Sequence, residues 1–306
     1  MTLPWYGWLT PGVLTGVAMV GFIYAWAMWG PMRDRRAPDE VPTRKQAISF
    51  YVSLLAVYAA LGSPIGVYAM SISFTMHMFQ HMIAGLAVPP FFIRGIPSWA
   101  WRRFFRSPAL RAVWGRLVRP VPAILMFNVV FGLMVFPPII TSMVDSMSAM
   151  LGWHLLLMAT GIFMWWPIVS PSEDFPPLHP GVQILYLFLD GMPMILPLAI
   201  VTLDTTPLYA AAYGHRELLW GLTLAHDQQL GGALCLTVVH FVYGSMVYPR
   251  FLSWVRRDRA LDAAVDLTVV RFPRRPVPVV LADGSTASAP SAATVVPWPG
   301  TSSSDS

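Results

Sequence analysis

The chain contains a single cysteine, Cys235, in 306 residues. An internal disulfide is therefore excluded, and so is a metal site built on several thiolates. Charge is scarce too: Asp, Glu, Lys and Arg make up 11% of the residues, against about 25% in a soluble domain. The sequence has no glycine loop of the kind that cradles phosphate, no nucleophile–base–orienter set and no paired carboxylates within one site. These absences argue against a soluble enzyme, and no enzymatic activity is expected. There is no visible internal repeat, which removes the usual support for an inverted-repeat transporter. No basic stretch precedes the first apolar run, so that run is expected to be a retained span and not a cleaved signal.

What the chain does have is apolar length. Hydrophobic residues account for 56% of it, and the mean hydropathy is +0.57. A membrane-spanning helix needs about 20 apolar residues, and seven segments meet that length: 11–30, 47–69, 74–96, 121–140, 148–169, 183–203 and 228–249. The expected fold is all-α, a polytopic bundle of seven transmembrane helices over residues 1–250. A tail follows over 251–306. Its final part, 276–306, is rich in Pro, Ser, Thr, Ala and Gly and is expected to be largely disordered. The arginines of 250–275 could rest on an anionic membrane surface, each contributing about 1 kcal/mol.

Orientation follows from the basic residues. Nineteen of the twenty Lys and Arg residues fall in the 31–46 linker, the 99–120 linker, the stretch from Arg250 onward, or at Arg94 near the end of the third span; only Arg216 falls in a connection on the opposite side. The positive-inside rule then puts the N-terminus outside and the C-terminus in the cytoplasm. The same distribution explains a pI of 9.6 without nucleic acid as a partner, because the cations lie between apolar runs and form no soluble basic face.

The candidate functional residues are the polar ones at membrane depth. His77 and His81 are four residues apart in Phe74-Thr-Met-His-Met-Phe-Gln-His-Met-Ile83, so a helix stacks them on one face with Gln80 beside them. Met76, Met78 and Met82 lie close by in sequence, although the face of Met78 and Met82 is turned about 100° from the histidines. At a rise of about 1.5 Å per residue, His154 in the fifth span and His226 and Asp227 at the mouth of the seventh reach a similar outer level. Such groups are costly in hydrocarbon and face the bundle interior. For a lone intramembrane histidine, interhelical hydrogen bonding is a sufficient account. Convergence of His77, His81, His154 and Asp227 points instead to a metal or cofactor site, with Gln80, Met78, Met82 and His226 in support. Imidazole with thioether suits copper, especially the cuprous ion. Donor atoms sharing one ion should lie about 4 Å apart or less. A second polar pair, Asp190 with His240, is expected near the midplane, as a packing contact or a proton relay. Gly231-Gly232 is expected to be a close helix-packing point.

Three ordered groups of residues carry a family resemblance. They are His77-Met-Phe-Gln-His81 with Pro89-Pro90 and Arg94-Gly-Ile-Pro97; Trp153-His-Leu-Leu-Leu157 running into Phe163-Met-Trp-Trp-Pro167; and Pro207-Leu-Tyr209 with Asp227-Gln-Gln-Leu-Gly-Gly232. Together, over about residues 70–250, they resemble the seven-helix CtaG-type cytochrome c oxidase assembly proteins. Leu234-Cys-Leu236 departs from the pattern, which has a tryptophan near that point. The resemblance implies a chaperone-like assembly factor in the bacterial cytoplasmic (inner) membrane, with cytochrome c oxidase subunits and the lipid bilayer as partners. It further implies supply of copper from the outer, periplasmic side, with His77, His81, His154 and Asp227 at the matching positions. Two other functions stay open. One is a haem-handling protein with His81 and His154 as axial ligands. The other is a copper or proton transporter using Asp190 and His240.

Overall fold

The structure is a computed structural model, and it describes residues 10–30, 41–214, 218–271, 278–280 and 286–288. The linker residues Arg33, Arg35 and Arg36, as well as His215 and Arg216, lie outside the described residues. Contacts divide the chain into two units, residues 1–254 and 255–306.

The described residues of the first unit form helices joined by short connections. In order come α1 (Pro11–Trp29), α2 (Arg44–Leu61), α3 (Pro64–Ser71), α4 (Phe74–Met82), a π-helical turn (Ile83–Ala87) and α5 (Val88–Gly95). Then follow α6 (Ser98–Phe104), α7 (Pro108–Leu117), α8 (Pro120–Val135), α9 (Pro137–Asp145), α10 (Met147–Val169), α11 (Pro180–Leu203), α12 (Ala210–Tyr213) and α13 (Leu224–Arg271). The second unit contains the end of α13 and a two-stranded antiparallel hairpin, β1 (Pro278–Val280) with β2 (Thr286–Ser288). The tail expected from 251 thus begins inside a helix. Between Arg250 and Arg271 there is neither glycine nor proline to interrupt it.

Among the described residues, five helices are long and apolar enough to cross a membrane: Pro11–Trp29, Arg44–Ser71, Met147–Val169, Pro180–Leu203 and Leu224–Asp262. The pair α7 and α8, bent by 73°, would make a sixth. Two of the seven expected spans are not among the five, and each has a visible peculiarity. Residues 74–95 are helical end to end but carry His77, Gln80 and His81. The 121–140 segment is broken at Phe136, whose extended backbone (φ −69°, ψ 129°) is what a residue before Pro137 adopts. The other helices expose large apolar side chains such as Phe22, Leu196 and Phe241, as lipid-facing surfaces do.

The 74–95 segment is at the centre. Pro89 and Pro90 have no N–H to donate, and the chain answers with a π turn immediately before them. The Gly85 carbonyl, four residues before Pro89, takes a hydrogen bond from Trp165 Nε1 of α10 instead (3.2 Å). Gly161 lets α10 come this close. A Cβ there would lie 2.7 Å from Pro89 Cγ and 3.1 Å from the Gly85 carbonyl oxygen. Gly161 is seven residues after His154, so both sit on one face of α10. The contact that seats Gly161 against Pro89 therefore sets the level of His154 beside α4. Alanine is the better helix former by about 1 kcal/mol, but a rigid proline ring cannot yield to its methyl. Gly161→Ala should therefore lower stability by about 1–3 kcal/mol, read as a fall in thermal midpoint in detergent. Gly132→Ala, where a Cβ meets nothing within 4 Å, should not lower it.

Gly231 and Gly232 of α13 behave as expected. A Cβ on Gly231 would strike Phe74 and Met78 of α4; one on Gly232 would strike Thr202 of α11. The pair lets α13 lie close to both helices.

Candidate metal centre

Three imidazoles meet inside the bundle. His77 and His81 come from α4, and His154 comes from α10. One ligand atom from each lies within 4.8 Å of the others. All three residues are fully buried. Their ring centroids are 4.7 Å (77–81), 5.0 Å (81–154) and 6.1 Å (77–154) apart. The upper separation exceeds the expected 4 Å, so sharing one ion would require the rings to close in by up to about 1 Å, given metal–nitrogen bonds of about 2 Å.

Hydrogen bonding assigns the protons of two of the rings. The Tyr213 hydroxyl has one hydrogen and donates it to the Ala69 carbonyl (2.7 Å). Its oxygen, 3.1 Å from His77 Nδ1, must then accept from an Nδ1–H. His154 Nδ1 is 2.8 Å from the Met150 carbonyl, and a carbonyl can only accept. Both neutral rings thus carry hydrogen on Nδ1 and a lone pair on Nε2. Neither Nε2 has a hydrogen-bond partner, and neither nitrogen of His81 has one. An unpaired buried polar atom costs about 1–3 kcal/mol, and here four gather at one spot. Backbone and phenol acceptors behind the rings, with bare lone pairs in front, form the outer-shell pattern of metal-bound histidines. The three histidines could hold a metal ion.

Tyr213 was not foreseen among the site residues, because it lies in the connection before α13, far in sequence from the histidine it serves. Tyr213→Phe would leave His77 Nδ1–H without its acceptor and should weaken metal affinity about 10–100-fold, measurable by chelator competition.

Asp227 is not part of this group. Its carboxylate accepts from the Phe74 and Thr75 backbone N–H groups (2.6 and 3.2 Å) and from the Ser73 and Thr75 hydroxyls (3.1 and 2.7 Å). With the Ser73 hydroxyl accepting from Met76 N (3.2 Å), it closes the N-terminus of α4. Those amides have no partner within the helix, and the helix dipole favours an anion there. The level assigned to Asp227 from the sequence agrees with this position one turn above His77, but its carboxylate is turned to the helix end. His226 is exposed and does not join the site, since it lies next to Asp227 on α13 and points about 100° away. Gln80 donates to the Ala60 carbonyl (2.9 Å), leaving Oε1 unpartnered. Met78 and Met82 are buried in the main apolar core, and Met78 packs at Gly231. Cys235, also buried, donates weakly to the Met78 carbonyl (3.6 Å).

The expected Asp190–His240 contact is not made. Asp190 accepts from Tyr243 Oη and from Asn128 Nδ2 (3.0 Å), whereas His240 is exposed and bonds the Leu236 carbonyl. The inward stripe of α13 runs through Cys235, Val239 and Tyr243. His240 is one residue off that stripe and faces outward. Its depth matches that of Asp190, but its direction around the helix does not.

No curated protein and no solved structure matches the chain. The family described as cytochrome c oxidase caa3 assembly factor (Caa3_CtaG) matches residues 15–257, a stretch that includes all three histidines, Tyr213 and Asp227. By the extent of that match, the chain belongs to the cytochrome c oxidase caa3 assembly factor family.

Proposed function

We propose that this assembly factor holds copper, as Cu(I), on His77, His81 and His154, and passes it to a haem–copper oxidase during its maturation. The observation that carries the reading is the set of unpartnered ring nitrogens, with two tautomers fixed so that Nε2 is free. The charge balance supports a monovalent cation. Three neutral imidazoles offer no compensating anion, and Asp227 is engaged elsewhere, so burying one positive charge costs less than burying two. Imidazole also suits copper on chemical grounds.

The proposal includes a seven-span arrangement in the bacterial cytoplasmic membrane, with the 74–95 segment as a span wrapped by the others. The N-terminus is outside, the C-terminus cytoplasmic, and the copper site in the outer half. The arginine distribution supports it. Reporter fusions should be active outside after Ser146 and inside after Arg106 and Arg259; the reverse pattern would reject the orientation.

The haem alternative has less support, because imidazole rings 5.0 Å apart and fully buried leave no slot for a macrocycle between them. The transporter alternative relied on Asp190 and His240, which do not meet. The deciding measurement is a Cu(I) titration of the detergent-purified chain against a chromophoric chelator. One ion per chain is expected, and no uptake would reject the proposal.

A further inference from the structure

A second feature lies beside the triad. A cavity of about 150 Å³ is lined by Met70 of α3, Gln80 of α4 and Met147 and Met150 of α10, with Leu61, Leu151, Gly66 and residues at the start of α1 also in its wall. Met147 is 50% exposed and Met150 is 1% exposed, so the sulfur-bearing side chains run from the surface inward. Met147, Met150 and His154 follow one another at spacings of three and four residues, which puts them on one face of α10. The steps along the axis are about 4.5 and 6 Å. Met150 is also the residue whose carbonyl orients His154, and Gln80 precedes His81 in the chain. Gln80 is 1% exposed, and its Oε1 has no hydrogen-bond partner.

We propose that this cavity is the intake site through which a soft monovalent cation reaches the three histidines, and this rests on the copper-holding reading above. Thioethers bind Cu(I) in preference to harder ions, and as neutral, weak ligands they release it readily to imidazole. The Gln80 amide oxygen adds a buried acceptor at the inner end. Methionine also serves as ordinary apolar filler, but leucine fills nearly the same volume without sulfur. That separates the two roles.

The test uses the full chain in detergent, with Cu(I) presented as its bicinchoninate complex and transfer followed by stopped-flow absorbance. The triple variant Met70→Leu, Met147→Leu, Met150→Leu should load about tenfold more slowly or worse, with equilibrium affinity within about threefold of the parent. Loading at the parent rate overturns the intake role. An affinity loss as large as the rate loss overturns it too, because the sulfurs would then belong to the final site. Should the triple variant not fold, the exposed Met147→Leu alone carries the test, with a slowing of about threefold expected. If the parent chain takes up no copper at all, the copper-holding reading fails and takes this inference with it. A parent that loads normally alongside an equally fast triple variant defeats the intake role alone.

Discussion

His81→Leu should bind Cu(I) several hundred-fold more weakly than the parent chain, yet its copper-free form should be as stable or about 1 kcal/mol more stable. The affinity loss follows from metal-site energetics. About 10–16 kcal/mol for a four-ligand site is roughly 2.5–4 kcal/mol per ligand, and each 1.4 kcal/mol is tenfold. The stability follows from the empty site's own chemistry. Both nitrogens of His81 are buried without a partner, and relieving such a group returns about 1–3 kcal/mol. A shape mismatch on changing to leucine costs less than about 1.5 kcal/mol. A core residue retained for packing should behave in the opposite way. If His81→Leu lowered the thermal midpoint steeply and left copper affinity alone, the histidine would be structural. A residue that weakens the fold and strengthens a function is the pattern of a binding site.

Asp227→Ala should destabilise the protein by about 3 kcal/mol or more, because it strands two buried backbone amides at the start of α4 at about 1–3 kcal/mol each and removes a cap. Asp227→Asn should recover part of this, since an amide oxygen still accepts from the helix end. The pair of variants also separates two roles. A positioning residue replaced by its amide should keep copper affinity within about tenfold. Replacing a true ligand should cost several hundred-fold, the loss expected for His81→Leu. Thermal unfolding and copper competition on the same two variants give both answers, and strong copper loss in a stable Asp227→Asn protein would return Asp227 to the ligand set.

Part of the site could be read from the residues alone. His77 and His81 share a helix face by their spacing, and counting residues from the outer membrane surface brought His154 to the same level on another helix. The three do converge. Asp227 came to the correct level with the wrong task, because the amides it serves are backbone groups that no residue pattern displays. His240 was misplaced for a different reason. Level in a membrane helix follows from the count along the chain, but direction around it follows from the apolar stripe, and the apolar residues of α13 around His240 lie on every side of the helix. Only packing reveals that Cys235, Val239 and Tyr243 turn inward. Tyr213 escaped notice because its contribution is a hydrogen bond across 136 residues of chain.

The sequence by itself determined the class of molecule: an apolar helical chain with few charges and a small set of polar residues inside its apolar segments. Those are properties of composition and spacing, and water and lipid act on them before any tertiary contact forms. The tertiary structure alone decided which imidazole nitrogens are bare, which residue closes α4, and that α10 sits at the level where His154 faces the pair. The last of these depends on a π turn at Ile83–Ala87 ahead of Pro89-Pro90, the Gly85 carbonyl it leaves for Trp165, and a glycine at 161 small enough to meet it. Such contacts join residues about eighty positions apart, so local propensity carries no trace of them; they exist only once the helices have packed.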